Sequence, residues 1–189
     1  PLAGAPLPLA EPVPRIPPPP RRSAGPLPPY RYLPGRAPHP VRDPRGHARG
    51  AREPDLADLD PGRIDRAEAF RRGADLFDAA FWWEAHEAWE AVWVALGRRG
   101  PQADALRGLV QVAAGCLKRF LGEGATAARL AERGLGALGA RPPGLPSLDG
   151  SALAEAARAY VASPDARPPV IRLTHDPAGE APAAPPECR

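Results

Sequence analysis

Proline decides where this chain can form helices. Of 29 prolines in 189 residues, none falls between Arg63 and Gly100, and Pro101 is the only one before Pro142. Inside a helix, proline removes a backbone donor and clashes with the turn before it. The packed core is therefore expected between about Arg63 and Ala140, flanked by proline-rich chain. Pro101 fits this pattern, because the first turn of a helix tolerates proline. The predicted organisation is a disordered proline-rich tail over 1–29, an extended arm packing on the bundle over 30–60, a helical bundle domain over 61–165, and an extended or disordered tail over 166–189. The fold class is all-α, a small antiparallel helical bundle with proline-rich N- and C-terminal extensions.

Apolar periodicity divides the core. Ala69, Phe70, Ala74 and Phe77 predict a first helix from about Asp65 to Ala79, with Asp65 as N-cap. An aromatic helix follows to about Leu96 and stops at Gly97-Arg-Arg-Gly100. A third helix runs from Pro101 to about Leu121, where Leu106, Leu109, Val110, Ala113, Leu117, Phe120 and Leu121 form an apolar arc. Gly108 and Gly115, on another face, let a neighbouring helix come close. Gly122-Glu-Gly124 breaks the chain before a fourth helix to about Leu138. Asp149 or Ser151 caps a shorter fifth helix to about Val161. Pro169-Val-Ile-Arg-Leu173 reads as an extended apolar segment.

All four tryptophans, Trp82, Trp83, Trp89 and Trp93, lie in the second of these helices, together with His86, one of four histidines. At about 100° per residue, Trp82, His86, Trp89 and Trp93 share a sector of roughly 60°. Glu90 stands beside that sector, where Trp89 and Trp93 are expected to bury it, and Glu87 further round. An ionised carboxylate next to buried aromatic surface needs a cation, a donor or a metal. His86-Glu87-Ala-Trp-Glu90 has the form H-E-x-x-E, in which two ligands four apart share a helix face and the intervening glutamate can act as base. His86 is thus either a metal ligand or a core histidine bonded to a carboxylate. Gln111 and Lys118 project from one edge of the third helix, and either can satisfy a glutamate of the aromatic helix. Their other reading is a buried polar network that sets the bundle's register. His39, Asp43 and His47 of the arm either complete a metal shell over His86 and Glu90 or serve as turn residues.

Composition excludes more than it assigns. No run of 18 apolar residues occurs, so no membrane span is expected. The net charge of +3 is spread among prolines and acids without a dense basic cluster, which argues against nucleic acid. Two cysteines, one in a predicted helix and one at the tail, do not make a disulfide framework. Residues 1–20 lack the apolar stretch of a secretory signal. The expected location is cytoplasmic. The partner is a small-molecule substrate or another protein, and the oligomeric state is open.

The run Leu76-Phe-Asp-Ala-Ala-Phe-Trp-Trp-Glu-Ala-His-Glu-Ala-Trp-Glu-Ala-Val-Trp93, followed by Leu106-Arg-Gly-Leu-Val-Gln-Val-Ala-Ala114, resembles the family called domain of unknown function 309 over about residues 66–138. The arm, with Leu27-Pro-Pro-Tyr-Arg-Tyr-Leu-Pro-Gly35 and Asp43-Pro-Arg-Gly-His47, is similar to an extension on some bacterial members. The resemblance implies a helical bundle and a metal-dependent hydrolase. It highlights Trp83, Glu84, His86, Glu87, Trp89, Glu90, Trp93 and Gln111. Many members carry a histidine where this chain has Lys118, a glycine-asparagine pair at Gly122-Glu123, and a glycine at Ala80. The first departure removes a ligand, and the last softens the break between the first two helices. In the resulting mechanism His86 and Glu90 hold a divalent ion of zinc, manganese or iron, Glu87 acts as base, and Gln111 or Lys118 polarises the substrate. The alternative is a binding or scaffold protein in which the same residues form a structural network.

Overall fold

The computed structural model describes residues 19–163 and 165–174. Residues 175–189 of the C-terminal tail, with His175 and Cys188, and the first 18 residues of the N-terminal tail lie outside them. A short 3-10 turn, Ile64–Arg66, leads into α1 (Glu68–Asp78), followed by α2 (Trp82–Ala95), α3 (Pro101–Phe120), α4 (Gly124–Leu138) and α5 (Gly150–Ala162). Among the described residues there is no strand, only an isolated antiparallel bridge between Leu148 and Leu173. The fold is all-α. No helix among the described residues is long and apolar enough to cross a membrane.

Helix α3 is central, packing against α2, α4 and α5, while α1 lies on α2. Phe70, Phe77, Trp82, Trp89, Leu106 and Leu109 are fully buried between these elements. Gly108 and Gly115 do admit a neighbour, and it is α4. A Cβ on Gly108 would stand 2.6 Å from the Gly134 carbonyl oxygen, and one on Gly115 3.1 Å from that of Ala127.

Two expectations about helix ends need correction or choice. Asp65 does not cap α1; it is buried within the 3-10 turn, and the cap position falls to Ala67, which has no side-chain acceptor. The Glu68 amide instead donates to Asp58 Oδ2 at 2.8 Å, so the arm satisfies an orphan donor of the first turn. At α5, Asp149 is the cap, accepting from the Ala152 amide at 2.9 Å.

Residues 19–60 carry no helix or strand and lie along α1 and α2. The sequence assigned residues 19–29 to a solvated tail, yet Arg22 and Ser23 are bound to α1. Asp75 accepts from the backbone amides of Arg22 (2.9 Å) and Ser23 (2.8 Å) and from the Ser23 hydroxyl (2.6 Å). Asp78 accepts from Arg22 Nη1 at 2.7 Å and from the Ile171 amide at 2.7 Å, while Arg22 Nη2 donates to the Ile171 carbonyl at 2.8 Å. Both flanking segments therefore meet on the last turn of α1.

Candidate functional site

The face that α2 turns to the core is set by Trp82, Ala85, Trp89 and Val92, all buried. This line runs to one side of the tryptophan sector, because the small Ala85 and the branched Val92 allow α1 and α3 to close in there. His86 and Trp93 consequently sit at the edge of the core, and Glu87 and Glu90 lie beyond it. Their side chains are 46% and 41% exposed, which corrects the expectation of a buried Glu90.

His86, Glu87 and Glu90 nevertheless converge. Each offers a ligand atom, and these atoms all lie within 4.8 Å of one another. His86 Nδ1 is 3.3 Å from Glu87 Oε1 and 3.8 Å from Glu90 Oε2. It is shut off from solvent but makes no hydrogen bond, so the ring presents an unused nitrogen between two carboxylates. Beside this group runs a groove of about 370 Å³ between α2 and residues 53–56 of the arm, lined in part by Glu53, Glu87 and Glu90.

The other residues expected at the site are elsewhere. Lys118 Nζ donates to Glu123 Oε1 at 2.8 Å, not to Glu90. Antiparallel packing explains this: the Trp82 and Phe120 rings meet at 5.7 Å, so Lys118 is level with the start of α2. Glu90 is then roughly 9 Å further along at 1.5 Å per residue. Gln111 is close to the level of Glu90, but its Cβ would meet a Cβ on Gly134 of α4 at 3.0 Å, and its Oε1 is buried without a partner.

The arm does not bring histidines over His86. His39 Nδ1 accepts from the Val41 and Arg42 amides at 3.2 and 3.3 Å, and its ring packs on Tyr32 and Trp83. His47 Nε2 pairs with Glu84 Oε1 at 3.1 Å, and the same oxygen accepts from the Tyr32 amide at 2.8 Å. Burial pushes the Glu84 carboxyl above the ordinary range, against the pull of the Tyr32 and His47 bonds. Glu84, not Glu90, is thus the buried carboxylate of α2.

Reading the residues alone missed Glu84, which entered only through the resemblance, and it missed Gly73. The Trp89 Nε1–H donates to the Phe70 carbonyl at 3.2 Å across the space that Gly73 leaves open. A lone glycine inside an otherwise amphipathic helix was the available signal.

The family model described as Domain of unknown function (DUF309) matches residues 70–130. That segment contains His86, Glu87, Glu90, Glu84 and Gln111, but not the arm. No curated protein matches the chain, and no solved structure does.

Proposed function

We propose that this chain, which the DUF309 family model matches over residues 70–130, is a metal-dependent hydrolase of a small substrate, with His86, Glu87 and Glu90 holding a divalent ion of zinc, manganese or iron. The reading is carried by His86 Nδ1, a solvent-excluded nitrogen with no hydrogen bond, facing two carboxylates. One imidazole and two carboxylates suit such ions, and three protein donors leave coordination positions open. A bound ion would supply Lewis acidity and water acidified toward neutral pH.

The residues of the chain do the rest. His86 and Glu90, four apart, set the bite from one rigid helix face. Glu87 commits one oxygen to the cluster, and its second, on a half-exposed side chain, takes up the proton of the nucleophile. The groove beside them admits substrate. Lys118, bonded to Glu123, is left out of the reaction.

A binding or scaffold role is the second reading. It draws on the Glu84–His47–Tyr32 bonds, which join arm and bundle without involving His86. Elemental analysis of protein purified without a metal-affinity tag separates the two. Near-stoichiometric metal, lost on His86→Ala together with chelator-sensitive hydrolysis of ester or amide substrates, is expected. Metal-free protein whose unfolding ignores added zinc, manganese and iron leaves the scaffold reading.

A further inference from the structure

Charge is not distributed evenly along this chain. Residues 30–52 hold six arginines and one acid, Asp43, a formal charge of +5 in a chain whose total is +3, so the remaining residues carry a net −2. The four acids that come next are placed elsewhere. Glu53 lines the groove with Glu87 and Glu90, and Asp55, Asp58 and Asp60 accept from the backbone amides of Ala57, Glu68 and Gly62. Over the whole sequence these charges average out, whereas the fold separates them. Arg31 is engaged with the bundle, donating to the Ala79 carbonyl at 3.2 Å with its guanidinium 5.0 Å from the centre of the Phe81 ring. Arg45 is held by Asp43. Arg36, Arg42, Arg49 and Arg52 are exposed and have no side-chain hydrogen bond or ion pair among the described residues.

These arginines belong to an ordered loop that also carries aromatic rings. The Asp43 amide donates to the His39 carbonyl at 3.1 Å, that of Gly46 to Asp43 at 2.9 Å and that of Ala48 to Pro40 at 3.0 Å, and a Cβ on Gly46 would collide with the Pro40 carbonyl. The Tyr32, His39 and Trp83 rings, each half-buried, touch one another with centroids 4.9, 5.0 and 5.4 Å apart. Arg42 starts at that cluster, its amide donating to His39 Nδ1 at 3.3 Å. The turn that carries Arg36 opens at Leu33, next to Tyr32, and the bond from Ala48 to Pro40 draws Arg49 to the same loop. Val41, between His39 and Arg42, is 53% exposed and adds apolar surface. Guanidinium groups pair with phosphate oxygens, and aromatic faces stack on bases that are not paired. We propose that this face of the arm binds single-stranded nucleic acid, with Arg36, Arg42, Arg49 and Arg52 on the phosphates and the Tyr32–His39–Trp83 cluster against the bases. A duplex hides its base faces, and an acidic peptide brings carboxylates but no base to stack. The proposal does not depend on an ion at His86.

Fluorescence anisotropy of a labelled oligothymidylate of about 12 nucleotides, titrated with the full chain in the presence of a chelator, tests this. The same strand annealed to its complement and polyglutamate of equal charge serve as competitors. The single strand is expected to bind about tenfold more tightly than either. Four phosphate contacts on a single strand give log K a slope against log salt of about −3, and Arg42→Ala combined with Arg49→Ala should bring it to about −1.4. Tyr32→Leu leaves the backbone amide that bonds Glu84 in place, and it should weaken single-strand binding about tenfold with the slope unchanged. Circular dichroism of both variants should match wild type. Absent binding, a duplex bound as tightly as the single strand, a slope that the arginine pair leaves unchanged, or a folded Tyr32→Leu chain of undiminished affinity overturns the inference. Polyglutamate bound as tightly as the single strand also overturns it and assigns the face to an acidic protein. Should Tyr32→Leu lose helicity, the slope and the preference over polyglutamate decide without it.

Discussion

Glu84 and Glu90 lie six residues apart on α2 and meet opposite fates. Glu84 is buried between helix and arm with His47 and the Tyr32 amide on one oxygen, whereas Glu90 stands half in solvent. Removing His47 strands a desolvated carboxylate, so His47→Ala is expected to destabilise by about 1–3 kcal/mol in urea unfolding. In metal-free protein Glu90→Ala should stay within about 0.5 kcal/mol, and its effect should add to that of Lys118→Ala, since the two side chains share no contact. Non-additivity there would restore a shared polar site between α2 and α3. That His86 and Glu90 share one face, with Glu87 further round, was legible from helical period; that all three converge was not. Which face is buried was not, because the sequence reading weighed tryptophan bulk above the Ala85–Val92 line. The His47 partnership spans 37 residues, and no local pattern reaches that far.

At the scale of elements, signals that act locally were readable. Pro101 opens α3, and Gly97 and Gly122 end α2 and α3 with positive φ of 76° and 86°. The exception is the end of α1, where Ala80 takes φ 61°. The Phe81 amide there bonds to the Leu76 carbonyl at 2.8 Å and the Ala80 amide to that of Phe77 at 2.9 Å, a Schellman closure that usually uses glycine. The break is therefore as sharp as with glycine, contrary to the softer one expected, and alanine carries the strain. Left-handed backbone costs a non-glycine residue about 1–2 kcal/mol. Glycine would relieve that but lose a buried methyl, about 0.8 kcal/mol, and would cost about 0.4–1 kcal/mol through the unfolded chain. These terms nearly cancel, so Ala80→Gly should leave the stability within about 0.5 kcal/mol of wild type. At Ala85, buried in the first turn of α2, the same change has nothing to relieve and should cost about 1–2 kcal/mol. Equal effects at the two sites, measured by urea unfolding, would mean that Ala80 is not strained.

Across the whole molecule, the segments before and after the bundle are joined through one turn of α1. Arg22, Asp75, Asp78 and the Ile171 backbone form a cluster in which the Arg22 and Asp78 side chains are only 3% and 1% exposed. Proline content marked these segments as extended but could not show them docked, since their partners lie 53 to 149 residues away in sequence. The cluster gives stability a pH dependence of a definite sign. Burial raises the Asp78 carboxyl from 3.8 to about 6, outweighing the Ile171 amide and Arg22, while Asp75 adds to the rise. Between these values the folded chain holds a proton that the unfolded chain has lost. This contribution is fully present below about pH 4, and it fades as pH rises through about 6, for a total on the order of 3 kcal/mol. Asp78→Asn cannot titrate and keeps an acceptor for the Ile171 amide. Urea unfolding from pH 4 to 7 should therefore show wild-type stability falling relative to this variant as pH rises. A residual slope of the same sign in the variant would belong to Glu84, whose carboxyl is also raised by burial. Parallel profiles for the two proteins would show that Asp78 ionises as freely in the folded chain as in the unfolded one, and that the two flanking segments are not held through a desolvated carboxylate.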